Sequence, residues 1–200
     1  MVRKQDGDLL FYRSGRERVE RTSALGMVIF LGSWAMMFAS LFFAYGLVRA
    51  RAPMWPPGDL PRLPRLQPGL STLVLFASSV AMQLGVRAVR DRRERLAAPL
   101  LGLTLFLGIG FLALQGHLWT GLFRAGLTPQ TGTYASVFWG LTGFHALHVV
   151  VGLVALVWLV IGAARRTYTA ARFAPLRLWA MYWHFVGVVW IALYLTVFVL

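Results

Sequence analysis

No cysteine occurs in this chain, and acid is nearly as scarce: seven Asp and Glu among 200 residues. The first absence excludes structural disulfides and thiolate metal sites. The second is sharpest in its distribution. The stretches Leu25 to Val48, Leu70 to Val86, Leu96 to Phe123, Ala125 to Ala164 and Leu178 to Leu200 contain no Asp, Glu, Lys or Arg. Charged residues make up 14% of the chain, against about 25% in a soluble domain. Without an intramembrane carboxylate there is nothing to orient a histidine as a base, and no acid to alternate with histidines in a proton relay. No Gly-x-Ser-x-Gly turn or phosphate-binding loop occurs either, so nucleophilic and nucleotide chemistry are excluded.

What remains is apolar surface, 58% of the residues. A helix crosses a bilayer core of about 30 Å with about 20 apolar residues. Four of the five stretches reach that length, and the second does so when Gln67 to Gly69 are added. The fourth is too long for one span, but it opens on the turn-forming "AGLTPQTGTY", which moves its helix start to about Tyr134. The reading is all-α: a polytopic membrane protein, one membrane domain over 1–200, with five transmembrane helices at about 24–49, 69–88, 96–120, 134–164 and 178–200. The first apolar stretch exceeds a signal-peptide core and no small-residue cleavage pattern follows it, so it reads as a retained span.

The formal charge of +13 would suit a nucleic-acid partner, but no basic domain exists to carry one. The segments 1–24, 87–95 and 165–177 hold 15 of the 20 Lys and Arg, while Arg49, Arg51, Arg62, Arg65 and Arg124 lie on the other side. That bias predicts N-terminus inside and C-terminus outside. The basic residues then orient the protein and meet anionic headgroups. Residues 1–22 read as a basic inner arm, flexible or a short interfacial helix, with Thr22 or Ser23 capping the first span. Residues 51–68, with most of a segment holding six of the nine prolines, read as an extended outer loop whose Trp55 sits at headgroup level. Gly102, Gly108 and Gly110, with Ala39, Ser40, Ser78 and Ser79, mark helix contact faces.

Three histidines fall inside spans. His145 and His148, in "GFHALH", share one face of the fourth helix, and His184, in "YWHF", lies in the fifth. Metal or haem ligation needs His184 opposite one of the pair, and no carboxylate is there to complete a metal site. Interhelical hydrogen bonding is the favoured reading, at about 0.6–2 kcal/mol each. His117, in "QGHLW", reads as interfacial. The residues singled out are His145, His148, Trp183, His184, Trp34 and Trp55, all as interhelical or lipid contacts, with no catalytic, cofactor or metal residue in the chain.

Four stretches resemble subunit III of haem–copper respiratory oxidases: "FLGSWAMMFASLFFAY", "WPPGDLPRLPRLQPGLSTLVLFASS", "LTGFHALHVVVG" and "YWHFVGVVWIALY". The likeness runs through all five helices, and the four stretches stand in the family's order and with about its spacing. Full-length members have seven helices; this chain resembles the shorter bacterial form that starts at the third. The resemblance implies a non-catalytic subunit of a cytochrome c oxidase in the bacterial inner membrane. Haem and copper lie in the catalytic subunit I, against which this subunit packs alongside other oxidase subunits. Bound phospholipid and support for stability and proton uptake are implied too. The alternatives are the accessory subunit of a nitric oxide reductase or quinol oxidase and, from another class, an independent membrane haem protein or transporter. Three positions depart from the family pattern. Trp34, Leu118 and Gly187 stand where carboxylates are usual, which implies an altered proton-related role with packing retained.

Overall fold

The computed structural model describes residues 3–55 and 63–199, so the middle of the Pro-rich loop expected over 51–68, residues 56–62, lies outside the described residues. Five long helices follow one another: α1 (Arg3–Arg51), α2 (Leu66–Arg90), α3 (Ala97–Arg124), α4 (Thr133–Ala164) and α5 (Ala174–Leu193), the last extended by a π-helical stretch, Tyr194–Val199. All five are long and apolar enough to cross a membrane. Two start beside prolines placed where a missing N–H costs least: Pro99 in the first turn of α3 and Pro175 in that of α5.

The first helix differs from expectation at its beginning. It is continuous from Arg3, so residues 3–22 extend the helix that becomes the first span. Thr22 does not cap it; its hydroxyl donates to the carbonyl of Arg18 one turn earlier. The short connection "RDRRER" contains a 3₁₀ turn, Glu94–Leu96, and Arg92 at a φ of 61°. It joins α2 and α3, the most closely associated pair in the bundle. Between α4 and α5, Tyr168 folds back against the end of α4. A Cβ on Gly162 would lie 2.8 Å from its ring, so a side chain there would have to displace the tyrosine. Burial pushes the Tyr168 phenol up from its ordinary value.

The core is shared by α2, α3, α4 and α5, with Trp183, Trp190 and Tyr182 the largest fully buried side chains. The first helix stands at its side, packing mainly on α4 and α5, and its span is the least buried of the five. Small residues set the closest approaches only in part. A Cβ on Gly108 would fall 2.7 Å from Leu153 and 2.9 Å from Trp183, and one on Gly152 would fall 2.8 Å from Trp183. Gly102 and Gly110, expected on contact faces, have nothing within 4 Å, and Ala39 and Ser40 are exposed.

Candidate functional site

The functional side chains form a column of aromatic rings and short hydrogen bonds through the bundle. At its centre is Trp183 of α5. Its ring fills the space left by Gly108 of α3 and Gly152 of α4, and its indole N–H donates to the Ser78 hydroxyl of α2 at 3.1 Å. Ser78 in turn donates to the Thr104 carbonyl of α3 at 3.0 Å. One indole therefore touches every other helix of the core. In hydrocarbon, where apolar burial does not distinguish protein from lipid, such packing and bonding is what holds helices together.

Its neighbours repeat the pattern. Tyr182 donates to the His148 carbonyl of α4 at 2.9 Å. The indole N–H of Trp190 donates to the Thr72 hydroxyl of α2 at 2.9 Å, while its ring stacks near Phe111 and His145, with centroids 4.8 and 5.3 Å away. His184 bridges α5 to α2: Nδ1 lies 3.2 Å from the Ser79 hydroxyl and Nε2 3.1 Å from Oε1 of Gln83. Since a carboxamide oxygen only accepts, Nε2 carries the proton donated to Gln83.

The pair on α4 behaves otherwise. His148 bonds through Nδ1 to the Phe144 carbonyl of its own helix, and its Nε2 is buried without a protein partner. Neither ring nitrogen of His145, 1% exposed, has a hydrogen-bond partner among the described residues. Hydrogen bonds from these rings to other helices, expected from the sequence, are not what the structure shows. Their contacts are aromatic: Phe38 of α1 lies 5.1 Å from His148 and 6.3 Å from His145. Trp34 of α1 sets its ring 3.8 Å from that of His148, edge on. At the far end of α1, Trp55 stands between Tyr45 and Tyr134, at 5.4 and 4.8 Å, with the Arg49 guanidinium over its face, and so joins the end of α1 to the start of α4.

The structure thus brings together Trp183 with Tyr182, and His145 with His148 and Trp34. It does not bring the three histidines into one ligand set. Among the described residues no group of three or more His, Asp and Glu gathers as metal ligands do. His117 is exposed near the C-terminal end of α3. Leu118 is buried in the core, whereas Gly187 lines the α2/α5 surface beside Ser79. Residues not singled out from the sequence are Gln83, Thr104, Thr72 and Gln115, whose carboxamide is buried with no protein partner. Polar side chains inside long apolar helices were the available signal for all four.

A family model described as cytochrome c oxidase subunit III matches residues 11–200. Cytochrome c oxidase subunit 3 of Synechocystis sp. is 38% identical over 177 residues, covering 88% of this chain and 74% of that protein. The probable cytochrome c oxidase subunit 3 of Mycobacterium leprae is 36% identical over 176 residues, 88% of this chain and 86% of its own. Cytochrome c oxidase subunit 3 of the coelacanth Latimeria chalumnae is 32% identical over 186 residues, 90% of this chain and 70% of its own.

Proposed function

This chain belongs to the cytochrome c oxidase subunit III family, a non-catalytic subunit of a haem–copper oxidase, and from that premise we propose what its residues do in the complex. The chain acts as a rigid membrane buttress packed beside the catalytic subunit I. It keeps phospholipid at the protein surface and sustains proton uptake by its partner. The membrane is the bacterial inner membrane and the N-terminus lies inside. The observation that carries this reading is the family match across 190 of 200 residues, from 11 to 200. The column around Trp183 supports the buttress role, because its hydrogen bonds join helices to one another. An oxygen-reducing partner is favoured over a nitric oxide reductase by the relatives, which are named for cytochrome c oxidase.

At the three positions where the family resemblance leads one to expect carboxylates, the residues serve packing instead. Trp34 covers His148, Leu118 fills core space, and Gly187 opens the surface beside Ser79. Proton-related work by this chain is then carried by shape and lipid retention, with no titrating acid in its spans.

The test is purification of the oxidase with and without this chain. The expected result is that the depleted enzyme starts at nearly the intact rate and then loses activity during turnover, sooner than the complete complex. A depleted enzyme as durable as the complete one would overturn the supporting role. Loss of haem from the catalytic subunit on depletion would point to assembly in place of maintenance.

A further inference from the structure

Along the seam of α2 and α5 the side chains are sorted by depth. Ser79, Gln83 and Arg87 follow one another every fourth residue and so share a face of α2, while Arg177, His184, Val188 and Ile191 share a face of α5. The two helices run antiparallel, with Trp190 bonded to Thr72 and His184 to Ser79. Arg87 lies eight residues beyond Ser79 and Arg177 seven before His184. The two arginines therefore stand level to within about 1.5 Å, at the same end of the bundle. Both side chains are exposed, and neither helix contains a carboxylate.

One turn deeper than Arg87 comes a pair of donors. Oε1 of Gln83 faces Nε2 of His184 at 3.1 Å, and the two N–H bonds of its carboxamide meet no acceptor among the described residues. Deeper still is a hollow of about 210 Å³, lined by Phe76, Val188 and Ile191 and floored by Gly187. Those three side chains are exposed and apolar. From the boundary inward the seam thus offers paired cations, then amide donors, then an apolar groove. A glycerophospholipid presents the complements in the same order: a phosphate, an ester carbonyl below it, and an acyl chain. The step from Arg87 to Gln83 is about 6 Å along the helix, on the scale of the step from phosphate to ester. Two guanidiniums with no carboxylate on the seam favour an anionic headgroup over a zwitterionic one, whose ammonium they repel.

We propose that the seam of α2 and α5 is a binding site for one anionic glycerophospholipid. Its phosphate sits between Arg87 and Arg177, whose planar donor forks match phosphate oxygens. An ester carbonyl accepts from the Gln83 carboxamide, and one acyl chain lies over Gly187 against Phe76 and Val188. Glycine at 187 keeps the groove open, since a Cβ there would already meet the Ser79 hydroxyl at 3.4 Å. The proposal rests on the reading that this chain keeps phospholipid at its surface, and adds the place and the headgroup charge.

A photo-crosslinking residue, p-benzoylphenylalanine, placed at Val188 reads which lipid fills the groove. That side chain is 64% exposed, so its replacement leaves the core undisturbed. The oxidase, tagged on this chain, is reconstituted into vesicles of equal parts phosphatidylglycerol and phosphatidylethanolamine, illuminated, and its adducts at 188 are identified by mass spectrometry. Each guanidinium near the surface favours an anionic lipid by a factor of about five. The expected ratio of phosphatidylglycerol to phosphatidylethanolamine adducts is therefore about twentyfold, and Arg87→Gln and Arg177→Gln should each lower it about fivefold. Arg93→Gln and Arg166→Gln remove the same charge at the separate hollow between the two connections, and should leave the ratio unchanged. A ratio near one in the unsubstituted chain, an equal fall in all four variants, or peptide adducts of another subunit at 188 would each overturn the proposal. The expected ratios in an oxidase that is as durable without this chain as with it would establish the site and overturn the supporting role, so the two failures are distinguishable.

Discussion

At Trp183 two contributions can be separated by choice of replacement. Its ring lies within 3 Å of where Cβ atoms on Gly108 and Gly152 would be, and its N–H reaches Ser78. Trp183→Phe keeps most of the ring and removes the bond, at a cost of about 0.6 kcal/mol and at most about 1.7. Trp183→Ala opens a cavity among three helices, and should cost about 3–5 kcal/mol. Unfolding of the detergent-solubilised chain would give the two values; a Phe variant as unstable as the Ala variant would show that the hydrogen bond, not the volume, holds the site. His145 makes the opposite case. A buried polar ring with no hydrogen-bond partner among the described residues costs its desolvation and returns contact with Phe38, Phe111 and Trp190. His145→Leu, of similar volume, is therefore expected to be neutral or stabilising. A loss above about 2 kcal/mol, the range for losing a buried hydrogen-bond partner, would mean that the ring is bonded in the membrane and that its aromatic contacts are secondary. The sequence showed that both residues lay inside spans. It could not show which of them had partners, because Ser78 lies 105 residues from Trp183, and nothing local signals an acceptor that far along the chain.

Among the helices, glycine spacing carries less information than glycine environment. Gly102 and Gly110 look as eligible for close contact as Gly108, and all three lie on α3. Only Gly108 faces α4 and α5; the others have open space where a side chain would go. Gly102→Ala is thus expected to be neutral, or to stabilise by up to about 1 kcal/mol through helix propensity. Gly152→Ala drives a methyl to 2.8 Å from Trp183 and 3.2 Å from Tyr182, both fully buried, and overpacking of that kind costs about 1–3 kcal/mol. Equal thermal midpoints for the two variants would contradict this assignment of faces. The helix ends show a similar limit. The start of α4 was legible, because "TPQTGTY" breaks the run and the helix begins at Thr133. The start of α1 was not. Residues 3–22 are polar enough to read as an arm, yet they contain no proline and, beyond Gly7 and Gly15, nothing that interrupts a helix entering from the membrane.

For the whole molecule, hydropathy makes the number of spans legible and charge predicts their direction, since both are sums over many residues and survive local errors. Fifteen of the 20 Lys and Arg lie in the segments 1–24, 87–95 and 165–177. Five consecutive spans put these segments on one side and the ends of α3 and α5 on the other. Anionic lipid on the cytoplasmic leaflet attracts each basic residue near it by about 1 kcal/mol, so an excess of ten outweighs any single contact in fixing the topology. The absence of cysteine makes the prediction direct to test, because one introduced thiol is then the only one in the chain. Gln130→Cys lies in the exposed turn between α3 and α4, and Thr167→Cys in the exposed turn after α4. A membrane-impermeant maleimide added to intact spheroplasts should label Cys at 130 and leave 167 unlabelled until the membrane is opened. The reverse pattern would invert the topology. It would also place the basic rim formed by Arg92, Arg93 and Arg166 on the outer face.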